Sequence, residues 1–280
     1  MTLLSSLGLT SCYERLYFPD YINSPGLSQP LEGSFSAAWK PQTISSDEPN
    51  YSIGSGYSRS LDAAFSPVAH IGLMGSYIQL NDRQMSENNS YLYSNKYGGL
   101  FNGQRWELGA GYYNLNKKYG TLIECYGGFG HGTITRTSRV PSFRDFDAEY
   151  LRYFIQPSIG YKSTRGIIVQ FGIRLLAQQV VAISGPDSNI RYNVVLQNYN
   201  NSADVLQQPS WYAAPYLNVT VPLWVVLLTY QAGFSSPLGG PRVGSDAPWH
   251  MTLGLGFRLY RGFIKDQPFK RRPMLAVSAL

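Results

Sequence analysis

Between Leu31 and Tyr260 the chain repeats one pattern ten times: a run in which apolar and polar residues alternate, followed by a polar connection. "QRWELGAGYYNL" (104–115) is the clearest run. Trp106, Leu108, Ala110 and Tyr112 fall on one side of it, and Arg105, Glu107, Gly109 and Gly111 on the other. Side chains of an extended strand point alternately to its two faces, so a period of two means a strand with one apolar face. The runs are 31–40, 56–66, 70–80, 104–115, 121–133, 149–162, 166–178, 211–222, 225–235 and 250–260. Pro157 and Pro215 fall inside two of them. Proline removes a ladder donor, so a bulge or bend is expected at each.

The connections alternate too. Residues 41–55, 81–103, 134–148, 179–210 and 236–249 are long and rich in Asn, Ser, Gly and Pro, whereas 67–69, 116–120, 163–165 and 223–224 are short. Long loops at one rim and tight turns at the other are the pattern of an antiparallel transmembrane β-barrel, here of about ten strands. In such a barrel the long loops are extracellular and the short turns periplasmic, which puts both termini in the periplasm. A soluble β-sandwich or lipocalin-like barrel is the alternative.

Charge placement favours the membrane. Only 14% of residues are charged, against roughly 25% in ordinary soluble domains. There are 22 tyrosines and 28 glycines. No stretch of about 18 consecutive apolar residues occurs, so no helix is expected to cross a bilayer. The apolar faces run without charge, whereas the opposite faces carry Arg105, Glu107, Glu124, Arg152, Arg174 and Arg258. Charge inside and apolar groups outside is the arrangement that lipid demands, and both signs are present for pairing. Trp39, Trp211, Trp224, Trp249, Tyr112, Tyr161 and Tyr260 lie near strand ends, where aromatic girdles belong.

Ahead of the first run, "LTSC" places Leu9 three positions before Cys12, with Thr10 and Ser11 between, after the short apolar stretch "MTLLSSLGL". This resembles the lipobox of bacterial lipoproteins, in which cleavage leaves the cysteine first and lipid is attached to it. Unmodified Cys12 and a disulfide to Cys125 are the alternatives, the latter awkward because Cys125 falls on an apolar strand face. A signal normally opens with a basic residue and a longer apolar run; here the first basic residue is Arg15. Residues 31–262 resemble small Gram-negative outer-membrane β-barrels, and "AAFSPVAHIGLMGSY" (63–77) resembles a hairpin that such barrels often carry. The resemblance implies location in the bacterial outer membrane. The organisation expected is a signal peptide at 1–11, a lipidated linker at 12–30, the barrel, and a basic periplasmic tail at 263–280 with Lys270, Arg271 and Arg272.

No catalytic motif, metal spacing or nucleotide-binding fingerprint is present, and "GGFGHG" (127–132) lies within a strand and opens no helix. No cofactor, metal or nucleic acid is expected. The net charge of +6 suits anionic partners such as lipid headgroups. Arg136, Arg139 and Arg144 in the third long connection are candidates for contact with lipopolysaccharide phosphates. The leading expectation is a non-catalytic barrel lipoprotein, a structural or binding subunit meeting outer-membrane lipid, lipopolysaccharide or an envelope complex through its loops or tail. Two alternatives remain. One is a narrow pore. The other is a rim hydrolase resembling the omptin proteases, built from His131 and His250 with Asp145, Asp147 and Asp246, although no omptin motif matches residue by residue.

Overall fold

A computed structural model of the chain describes residues 22–44, 54–84, 99–137, 145–185, 208–240 and 249–259. Eleven strands form: β1 Gly33–Ile44, β2 Gly54–Val68, β3 Ile71–Gln84, β4 Gly99–Asn116, β5 Thr121–Thr137, β6 Phe146–Lys162, β7 Ile168–Ser184, β8 Ser210–Leu223, β9 Val226–Phe234, β10 Ser236–Gly239 and β11 Trp249–Leu259. β10 is the upper part of the β9 stave. Gly233 pairs with Tyr216 and Ser236 with Ala213, so β8 keeps one register across Ser235. Strands β1 to β8 each pair with the next, and β11 lies between β9 and β1. Ten antiparallel staves therefore close into a barrel. Among the described residues no helix is long and apolar enough to cross a membrane.

The pairings rise as they circle. Followed from Gly33 through Phe65, Leu73, Ala110, Gly127, Ile155, Leu175, Ala213 and Ser236, they return to β1 roughly twelve residues further up. Ten strands with that stagger tilt by about 40° and enclose a lumen only slightly wider than side chains can fill. The four tight turns are where the sequence places them, and each holds one residue in the left-handed region: His70, Gly120, Gly166 and Trp224.

The outer wall is apolar in the middle and polar above. Leu61, Tyr77 and Trp106 pair in one outward row, and Ala63, Leu108, Phe129 and Tyr153 belong to the row below. These large side chains are 41–54% exposed. A soluble protein does not show water such a belt; lipid covers it. One row higher the outward residues are Arg59, Gln79, Gln104, Thr133 and Glu149, and above them stand Asn81, Asn102, Thr135 and Asp147. The apolar belt ends there, while β2 to β7 continue past it. Exposed Tyr112, Tyr119, Tyr161 and Trp224 ring the short-turn rim and Trp39, Trp106 and Trp211 the other side. Exposed Cys125 is on the lipid face, as the alternation predicts.

No bulge forms at Pro157 or Pro215, where a bulge or bend is expected. Pro215 faces Ile173 in unbroken register. The β6–β7 ladder skips Gln156 and Pro157 and resumes without a shift. The real irregularity in β6 is between Glu149 and Tyr150, above the belt.

Candidate functional site

The lumen is built in layers, because pairing brings inward residues of successive staves to one level. One layer, Asp62, Ser76, Glu107, Arg152, Gln178 and Ser210, is polar. The next layer toward the turns is apolar and holds Ala64, Met74, Phe154, Leu176 and Tyr212, all buried. Large rings fit because glycines face them. A Cβ on Gly172 would lie 2.5 Å from the Tyr216 ring, and one on Gly109 would lie 3.0 Å from Phe154.

The expected network of six interior charges splits in two. Glu107 gathers three arginines: Arg174 Nη2 at 2.7 Å, Arg105 Nε at 3.1 Å and Arg152 Nη1 at 3.9 Å. Arg152 Nε also donates to Gln178 Oε1 at 2.7 Å, and the Arg174 guanidinium lies 4.1 Å above the Phe154 ring. Asp62, which the sequence reading did not include, accepts from Ser76 Oγ at 2.6 Å and Ser60 Oγ at 2.8 Å.

Glu124 and Arg258 do something else: they hold a plug. Residues 22–28, expected to lie in a linker outside the barrel, run up the lumen from the short-turn rim. Ile22, Asn23, Ser24 and Leu27 are buried. An extended segment without its own ladder must find partners for its backbone, and the staves supply them. Gln231 binds Ile22 twice, its Oε1 accepting from the backbone N–H at 2.8 Å and its Nε2 donating to the carbonyl at 2.9 Å. Gln156 Nε2 donates to the Asn23 carbonyl at 2.8 Å, and Arg258 Nη2 to that of Pro25 at 3.2 Å. Glu124 accepts from the Leu27 N–H at 3.1 Å and from Gln170 Nε2 at 2.6 Å. The plug contributes bonds of its own. Asn23 Nδ2 donates to the carbonyls of Ala63 and Gly75, each at 3.3 Å, and Ser24 Oγ to Gln170 Oε1 at 3.1 Å. At the rim Glu32 accepts from the N–H of Ser28 at 2.7 Å and pairs with Arg258 Nε at 3.2 Å, while Lys162 Nζ donates to Ser28 Oγ at 2.6 Å. Strands β2, β3, β5, β6, β7, β9 and β11 thus all grip one short segment.

Sequence reasoning missed the plug and its holders Gln156, Gln170, Gln231, Glu32 and Lys162. The available signal was a set of inward glutamines on separate staves, each able to donate to one backbone group and accept from another.

Arg136 needs correction. It lies on the inward face of β5, buried, with its guanidinium 5.3 Å from the Phe101 ring and 6.0 Å from that of Phe146. β5 continues to Thr137, so Arg136 points into the barrel mouth rather than from a loop toward lipopolysaccharide. Cys12, Arg139, Arg144, Asp246, Lys270, Arg271 and Arg272 lie outside the described residues.

The histidines form no common site. His131 faces outward beside Trp106, its Nε2 3.9 Å from Glu149 Oε2. His250 is buried against Gly233 on the inside. His70 sits in the first tight turn with Nδ1 3.0 Å from the Tyr113 carbonyl oxygen. The wall therefore separates His131 from His250, and the two share no site. Among the described residues no group of three or more acidic, histidine or cysteine side chains is placed to hold a metal.

No family model and no curated protein matches the chain. Several solved structures do. The translocator domain of the autotransporter NalP from Neisseria meningitidis aligns over 82% of this chain and 88% of its own, with 11% identity and a TM-score of 0.49. The transport unit of the autotransporter AIDA-I from Escherichia coli covers 86% and 93%, with 8% identity and a TM-score of 0.45. An outer membrane channel from Pseudomonas putida F1 covers 86% and 100%, with 10% identity and a TM-score of 0.44. The ten-stave barrel itself is established by the strand pairing described above.

Proposed function

We propose that this chain is a closed, non-conducting and non-catalytic barrel of the bacterial outer membrane, acting as a structural or binding subunit through its outer surfaces. One observation carries the reading: residues 22–28 occupy the lumen and are hydrogen-bonded by seven of its ten staves. A ten-stranded barrel has little space to begin with. Here that space is filled by a segment whose buried backbone groups are answered by stave side chains, and each such bond lost without replacement costs about 1–3 kcal/mol. The exposed apolar belt and its polar upper edge support a membrane setting, and the alternation of short turns and long connections supports the outer membrane. Lipidation at Cys12 belongs to the same reading and would add a second hold on the membrane.

Conductance in planar bilayers is the test. The intact protein is expected to give no steps, and a variant with residues 22–28 replaced by a Gly/Ser stretch is expected to give small, steady ones. Open steps from the intact protein would overturn the reading. Intact mass after expression in a Gram-negative host, beside Cys12→Ala, tests the lipid: an acyl-sized increment lost in the variant is the expected result.

A further inference from the structure

On the lipid face, β1 carries Phe35, Ala37 and Trp39 in succession. Ala37 is the small one, and its paired neighbours Leu61 and Leu255 are large. The result is a recess of about 630 Å³ floored by Ala37 and walled by Trp39, Leu61, Leu228, Leu253 and Leu255. Its upper end is different in chemistry. Arg59 and Gln79 line it, one row above Leu61 and Tyr77, at the level where the belt turns polar. Arg59 is exposed and its guanidinium stands 4.7 Å from the Tyr57 ring, which orients it. An apolar slot below a fixed cation, at the boundary of the hydrocarbon layer, has the form of one lipid: tail in the slot, anionic headgroup on the arginine.

The rim decides which lipid. This edge is the one opposite the four tight turns, so it faces the outer leaflet. We propose that the recess binds one acyl chain of lipopolysaccharide, with a lipid A phosphate on Arg59. The assignment rests on the outer-membrane reading above. A guanidinium pairs with phosphate through two parallel hydrogen bonds, which a lysine or a diffuse surface charge does not reproduce.

The test uses full-length protein refolded into mild detergent, so that it does not depend on where the cell puts the chain. Purified lipopolysaccharide, and separately phosphatidylglycerol, is titrated and binding is followed by native mass spectrometry. One lipopolysaccharide per barrel is expected to saturate. Arg59→Gln is expected to weaken it roughly tenfold, the size of one lost charge-assisted contact. Ala37→Phe, which fills the slot, is expected to abolish it. Lys118→Gln at the opposite rim serves as the control and leaves binding unchanged. Both variants must keep the wild-type far-ultraviolet dichroism. Equal binding by wild type and both variants, or no saturable binding, overturns the proposal. Equal affinity for phosphatidylglycerol overturns the assignment to lipopolysaccharide. Membrane fractionation of the expressed chain tests the location independently: recovery away from the outer membrane sinks that reading whatever the titration shows.

Discussion

Glu107 is the residue on which the upper lumen turns. Three arginines converge on one carboxylate. Burying charges is costly, and the arrangement is tolerable only while each is answered. Glu107→Ala is therefore expected to destabilise the barrel by about 3–5 kcal/mol, the range for removing one partner of a buried ion pair. Urea unfolding followed by tryptophan fluorescence checks this, and an unchanged midpoint would remove Glu107 from the centre of the cluster. A second residue-scale prediction concerns space. Gly172→Ala places a methyl 2.5 Å from the Tyr216 ring. It is expected to destabilise markedly on its own and much less in a Tyr216→Leu background, because residues in contact are not additive.

Among the elements, the plug depends on side-chain amides, of which Gln231 alone binds backbone in two directions. Gln231→Leu leaves both polar groups of Ile22 buried and unanswered. Each such loss is worth about 1–3 kcal/mol, so hydrogen exchange at the Ile22 amide is expected to speed up by about one to two orders of magnitude. No change there would mean the segment is held by packing alone. The staves themselves were legible in sequence because alternation is a local pattern, and every tight turn was found. The plug was not, because a short extended segment with no period leaves no trace of its own; its partners are spread over seven strands. The upper ends of the strands were missed for a different reason. Above the lipid the pattern inverts: Thr133, Thr135 and Asp147 face out, whereas Ile134, Ala148 and Ile183 face in. A run that changes its apolar side midway looks like a loop, which is why the sequence alone puts Arg136 outside the barrel. The interior charges were found as residues but not as two groups, because period gives a face and not a height.

For the whole molecule, the belt sets what the surface tolerates. Leu108, 52% exposed in mid-belt beside Phe129, is expected to reject charge: Leu108→Arg costs about 2–4 kcal/mol if it sits near the bilayer midplane. Asn102→Arg, on the same strand above the belt, is expected to cost close to nothing. Folding into vesicles across urea measures both, and equal costs would mean that lipid does not cover this face.

The plug also carries a consequence for how the molecule is made. Its partners are far along the chain: Ile22 and Gln231 are 209 positions apart, and Pro25 and Arg258 are 233 apart. Contacts of such separation are slow to form, since a loop of nearly the whole chain must close first. The closing seam of the barrel joins residues just as distant, Gly33 with Leu259, so plug and seam belong to the same slow stage. The segment finds its full set of partners only in a closed barrel, because they lie on strands from β2 round to β11.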